Sequence, residues 1–279
     1  MIVPRDGIAI NWLLRSESTS MADSRNNTSR GGRGLLLVGH GTRDERGLEE
    51  ANVLAGKVRA ICPEAAVELC FLELAAPDIA TGVQRLVRSG VRQFRVMPLM
   101  LLAAAHVKHD IPAAVEAATE ALGDVAFDVY PPLGCHEHVL TLSERRYREA
   151  VTDGVANDIT AEETLLVLVA RGNRDAEAQQ QWSEFVERRR RSGGPTIAPA
   201  YLAMADPRLD AVLASAAAGN RRRIIVQPHL LFAGRLLERL QEQVSSLAEK
   251  HPRQQWLMAQ HLGPSQLLAE AVVEIAGRS

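Results

Sequence analysis

Four landmarks in this chain each recur once, at an almost constant distance. GHGTRD (39–44) returns as ARGNRD (170–175), FLELAAPDI (71–79) as YLAMADPRL (201–209), and VMPLMLLAAAH (96–106) as VQPHLLFAGRL (226–236). The Leu-Gly of PLGCHEHVL returns as that of QHLGPSQLL, and the four offsets are 131, 130, 130 and 129. A chain that repeats its punctuation with this period is expected to fold as two similar units. Within each copy, short apolar runs alternate with longer amphipathic stretches, the pattern of parallel βα units. Strands are expected at 35–38, 67–72, 94–99 and 125–130, then at 165–169, 196–202, 223–232 and 255–262. Helices are expected at 45–61, 77–90, 106–122 and 136–151, then from near Asp175, Asp206, Gly234 and Pro264. The fold class is therefore α/β: two similar domains, 34–151 and 164–279, each a four-stranded mainly parallel sheet flanked by helices. A polar linker at 152–163 joins them, and the site is expected in the cleft between them.

Composition narrows the partners. Of the 279 residues 46% are hydrophobic, enough to bury a real core. Lys plus Arg number 32 against 34 Asp plus Glu, a formal charge of -2, which offers no basic field for nucleic acid. The three cysteines, Cys62, Cys70 and Cys135, are odd in number and form no C-x-x-C pair, which fits a reducing compartment, the cytoplasm, without a structural zinc knot. No apolar run approaches the roughly 20 residues that span a bilayer, and the first residues lack a secretory pattern. Residues 1–33, rich in Ser, Asn, Arg and Gly over 16–33, are expected to form a disordered tail.

In open parallel sheets, ligands sit beyond the carboxyl ends of the strands. Three chemical groups stand there in the first copy. His40 follows the first strand between Gly39 and Gly41, Glu73 ends the second, and His106 follows the third after the small residues Ala103 to Ala105. Taken singly, each reads as an ordinary histidine or loop acid, and His109, a turn beyond His106, reads as a surface residue. A histidine-phosphatase pocket would need Arg before the histidine, where this chain has Gly39. The comparison between copies decides otherwise: the counterparts of His40, Glu73 and His106 are Arg171, Ala203 and Leu236. All three groups vanish together while the scaffold persists, which marks them as a site. Two imidazoles and a carboxylate suit a borderline divalent transition metal (Co, Ni, Fe or Zn) rather than Mg or Ca.

GHGTRD, FLE at 71–73, HVKHDIP at 106–112 and PLGCHEHVL, arriving in order, closely resemble the sirohydrochlorin chelatases. These class II chelatases insert Co(II) or Fe(II) into sirohydrochlorin for cobalamin or siroheme synthesis. The resemblance runs from about Leu35 to the C-terminus and is strongest in the first half. It implies a metal-inserting lyase in which His40, Glu73 and His106 bind the metal and accept protons. The metal (Co2+ or Fe2+, with Ni2+ also permitted) is a substrate, and no organic cofactor is implied. Neutral imidazoles are needed for both tasks, so activity is expected to fall as pH drops through the imidazole range. Arg43, Lys108, Arg171, Arg174 and Arg235 lie beside strand ends and are candidates to bind the carboxylates of the tetrapyrrole. Leu102 and Ala104 depart from the Phe and Gly of the family's turn, which survives as Phe232-Ala233-Gly234 in the second half. The alternative expectation is a non-catalytic metal or tetrapyrrole carrier. His229 could face the cleft or the core, and a monomer is expected because the duplication supplies the second domain.

Overall fold

The computed structural model describes residues 34–153 and 158–277. The expected tail and the centre of the expected linker, 154–157, lie outside the described residues.

Two parallel four-stranded sheets repeat one topology. The first contains β1 (Gly34–Gly39), β2 (Ala66–Phe71), β3 (Gln93–Pro98) and β4 (Ala126–Val129), in the order β2-β1-β3-β4. The second contains β5 (Thr164–Ala170), β6 (Thr196–Tyr201), β7 (Arg223–Pro228) and β8 (Gln255–Met258), in the order β6-β5-β7-β8. The helices between them are α1 (Glu45–Ile61), α2 (Ile79–Arg88), α3 (Ile111–Glu120), α4 (Glu137–Thr152), α5 (Ala176–Arg191), α6 (Leu209–Ala218), α7 (Arg235–Lys250) and α8 (Gln266–Gly277). Asp side chains start several of them: Asp44 accepts from the Arg46 N–H, Asp78 from that of Thr81, and Asp175 from those of Glu177 and Ala178.

Strand alternation explains the layering. Leu35 and Leu37 of β1 point to one face and Leu36 and Val38 to the other, as Leu166 and Leu168 oppose Val167 and Val169 in β5. The first set joins α1, α4, α5 and α8 in one continuous core that links the two sheets. The second sets are covered by α2 and α3 on one sheet and by α6 and α7 on the other. Each fully buried leucine contributes about 1.5–3 kcal/mol, so the shared core, not the connecting chain, holds the halves together. A polar tie crosses it: the hydroxyl of Ser143 on α4 accepts from Arg189 Nε on α5 (3.2 Å) and Gln227 Nε2 on β7 (3.0 Å).

Two expectations about extent are corrected. The strands expected at 223–232 and 255–262 end at Pro228 and Met258. Beyond them Leu262 and Gly263 donate to the carbonyls of Leu230 and Leu231 as loops, repeating the bonds of Leu133 and Gly134 to Met100 and Leu101. The helix expected at 106–122 begins instead as a π-helical turn, His106–Asp110, and becomes α-helical only at Ile111. Pro112 lacks the N–H that would bond the Lys108 carbonyl, and the Ile111 N–H reaches back to the His106 carbonyl.

Candidate functional site

In the first sheet β1 and β3 are neighbours whose connections leave in opposite directions, β1 toward β2 and β3 toward β4. A crevice opens at such a reversal. His40 leaves the end of β1 and His106 follows β3 across it. Their rings meet edge to face, with centroids 5.0 Å apart at 87°.

Glu73 is brought in by backbone pairing. Its N–H donates to the His40 carbonyl (3.0 Å), and the Leu72 N–H donates to that of Gly39. The approach is possible only because residue 41 is glycine: its φ is +95°, and a Cβ there would lie 1.7 Å from the Glu73 carbonyl oxygen. His40 Nε2 then stands 3.5 Å from Glu73 Oε1. The second half keeps the scaffold without the chemistry. Gly172 has φ +85° and the same close approach to Ala203 O, and the Ala203 N–H donates to the Arg171 carbonyl.

The three expected residues are thus adjacent. Among the described residues, however, no three His, Cys, Asp or Glu side chains already surround a point at which they could hold a metal ion. His106 Nδ1 pairs with Asp110 Oδ2 at 2.7 Å. Asp110 escaped the sequence reasoning, although its spacing four residues after His106 on one helical face was the available signal. A carboxylate on Nδ1 fixes the tautomer that leaves Nε2 with a lone pair. His109 is exposed, as expected of a surface residue.

Of the candidate cations, Arg43, Arg171, Arg174 and Arg235 are exposed and form no ion pair with a carboxylate among the described residues. Lys108 is differently placed. Its ammonium donates to both oxygens of Asp175 (2.9 Å each) and lies 2.8 Å from Glu177 Oε2. Partial burial pulls the Lys108 pKa down, but the bonds to Glu177 and Asp175 outweigh it and the net shift is upward. His229 lies in the core, 4.2 Å from the Phe185 ring and 5.1 Å from that of Trp182 by centroids, and burial pushes its pKa down to about 3.

The strand-end loop of each half touches a helix of the other at matched points. The Ala103 N–H, in the loop before His106, donates to Gln181 Oε1 on α5 (2.9 Å), and the Ala233 N–H donates to Glu50 Oε2 on α1 (2.6 Å). Lys108 with Glu177 corresponds to Glu238 with Arg46 (2.5 Å): the same pair with its signs exchanged. A surface depression of about 650 Å³ beside this second pair, lined by Arg46, Glu238, Glu242 and Glu249, contains none of His40, Glu73 and His106.

The CbiX family profile matches residues 34–150 and again residues 165–278. The sirohydrochlorin ferrochelatase of Priestia megaterium is 30% identical over 230 residues, covering 82% of this chain and 84% of the relative. The sirohydrochlorin cobaltochelatase of the same organism is 28% identical over 230 residues, covering 82% and 74%. Among solved structures, SirB from Bacillus subtilis with Fe3+ has a TM-score of 0.77 at 24% identity, over 88% of this chain and 94% of that one, a likeness of fold.

Proposed function

This chain belongs to the CbiX family, and from that premise we propose that it inserts Co(II) or Fe(II) into sirohydrochlorin. The observation that carries the assignment of residues is the meeting of His40, Glu73 and His106 at the reversal point of the first sheet, where the second half has Arg171, Ala203 and Leu236. Residues 34–151 form the working half and residues 164–279 the half that has lost the ligands, with the site facing the loops between them. His40 Nε2, Glu73 and His106 Nε2 receive the hydrated metal, while Asp110 holds the His106 ring. Insertion exchanges one M(II) for two pyrrole protons, so the imidazoles and the Glu73 carboxylate also serve as acceptors as each metal bond to the protein is replaced by one to the macrocycle.

The exposed arginines Arg43, Arg171, Arg174 and Arg235 receive the carboxylates of the tetrapyrrole, and Lys108 joins them only by leaving Asp175 and Glu177. No helix among the described residues is long and apolar enough to cross a membrane, and we assign the protein to the cytoplasm as a monomer that binds no nucleic acid. Relatives named for iron and for cobalt match almost equally, so both metals belong in the test. His40→Ala and His106→Ala should each lower metal insertion by about a hundredfold or more, followed as the spectral change of sirohydrochlorin with Co(II) or Fe(II), while tetrapyrrole binding persists. A wild-type chain that binds sirohydrochlorin without changing its spectrum to that of a metallated product would be a carrier instead.

A further inference from the structure

We infer that the second half positions the metal-binding turn of the first, through Gln181, and that Gln181 is a positioning residue for metal insertion. The inference rests on the chelatase reading above. The chain on either side of His106 is fastened to one element of the other half. Three residues before it, Ala103 is buried and its N–H donates to Gln181 Oε1 at 2.9 Å. Two residues after it, Lys108 donates to Asp175 and meets Glu177. Asp175 caps α5, and Glu177 and Gln181 lie within its first two turns. The His106 turn therefore takes its place from α5 as well as from its own strand.

A plain packing seam would account for the contacts but not for what they hold. The matching seam, Glu50 to the Ala233 N–H, fastens a loop that carries Leu236 at the place of His106, so no metal ligand depends on it. At the Ala103 seam the fastened loop carries an imidazole whose ring lies 5.0 Å from that of His40. The acceptor at 181 thus sets how the two imidazoles converge. The two seams also supply the conservative replacement, because a carboxylate at position 50 performs the same task as the amide at position 181.

The test uses the full chain carrying Gln181→Ala or Gln181→Glu. Displacing a reacting group by about 1 Å costs up to about a hundredfold in rate. Gln181→Ala should therefore lower kcat by about tenfold or more, with little change in KM for sirohydrochlorin, and weaken Co(II) binding measured by titration without the tetrapyrrole. Gln181→Glu keeps the acceptor but replaces the amide that faces Glu177 Oε1 (3.4 Å) with a like charge, so it should restore part of both. Amide exchange across residues 99–110 should quicken in Gln181→Ala while the α4 and α8 amides stay protected. If the wild type inserts metal and Gln181→Ala matches it in kcat and Co(II) affinity, the positioning role is overturned. If the wild type inserts no metal, the chelatase reading fails, and exchange over 99–110 then judges the fastening alone: unchanged exchange would overturn it too.

Discussion

His229 occupies the place that Leu99 holds in the first half, and its ring packs against the stacked pair Trp182 and Phe185 with both nitrogens buried and lacking hydrogen-bond partners among the described residues. Desolvation disfavours its charged form, pushing the folded-state pKa down to about 3 against about 6.5 in an unfolded chain. A base whose pKa falls on folding leaves the unfolded state holding more protons at acid pH. The titration of this group therefore leaves stability unchanged above about pH 6.5, and stability falls steadily as pH drops from there toward 3. His229→Leu should raise stability by about 1–3 kcal/mol at neutral pH, where it removes an unsatisfied buried polar group. The advantage should widen at pH 5. Urea unfolding at pH 7.5 and pH 5 measures both, and a gap that stays constant with pH would contradict a neutral buried imidazole. The motif QPHLLF reads the same whichever way its histidine faces, because the residues that exclude water from it, Trp182 and Phe185, come from another element.

At the scale of elements, the capping end of α5 combines two tasks. Asp175 caps the helix and pairs with Lys108, whose hydrogen bond is the main cause of the lowered Asp175 pKa. A carboxyl whose pKa falls on folding contributes stability above its unfolded value of about 3.9, and that contribution is lost only as pH falls through the lower folded value. Asp175→Asn keeps a capping side chain and removes the charge. It should cost about 1 kcal/mol or less at pH 7, since both partners are partly exposed, and progressively less as pH falls below about 3.9. Chemical denaturation of the two proteins from pH 7 into the acid range checks this, and a loss that does not shrink with acidification would mean that the cap, not the pair, was damaged. The order of strands and helices was legible because short apolar runs such as β1 and β5, covered on both faces, alternate with longer amphipathic stretches. The π turn was not, although Pro112 is visible in the sequence, because a proline near a helix start more often marks the start itself. Asp175 and Glu177 could be read as helix-starting acids but not as partners of Lys108, which lies 67 residues before Asp175.

Across the whole molecule, the division of labour predicts what the second half supplies. Arg171 stands where His40 stands, exposed at the end of β5 and without a carboxylate partner among the described residues. Arg171→Ala should raise KM for sirohydrochlorin about tenfold while kcat changes little, as for loss of a charged contact made equally in ground and transition states. Steady-state kinetics with Co(II) checks this, and a collapsed kcat at unchanged KM would place Arg171 in the chemistry. The metal ligands proposed in the first half could be found in the sequence because the repeat supplies its own control: position by position, the second copy displays what a scaffold without ligands looks like.

The exchanged signs at the two seams carry a consequence for assembly. Lys108 faces Glu177, and Glu238 faces Arg46; by the repeat, position 46 is to the first half what 177 is to the second. Two copies of the first half docked in this manner would set Lys108 against Arg46, and two copies of the second would set Glu238 against Glu177. Like charges at an interface penalise the wrong pairing. The two pairs therefore favour the docking of unlike halves over two copies of either one.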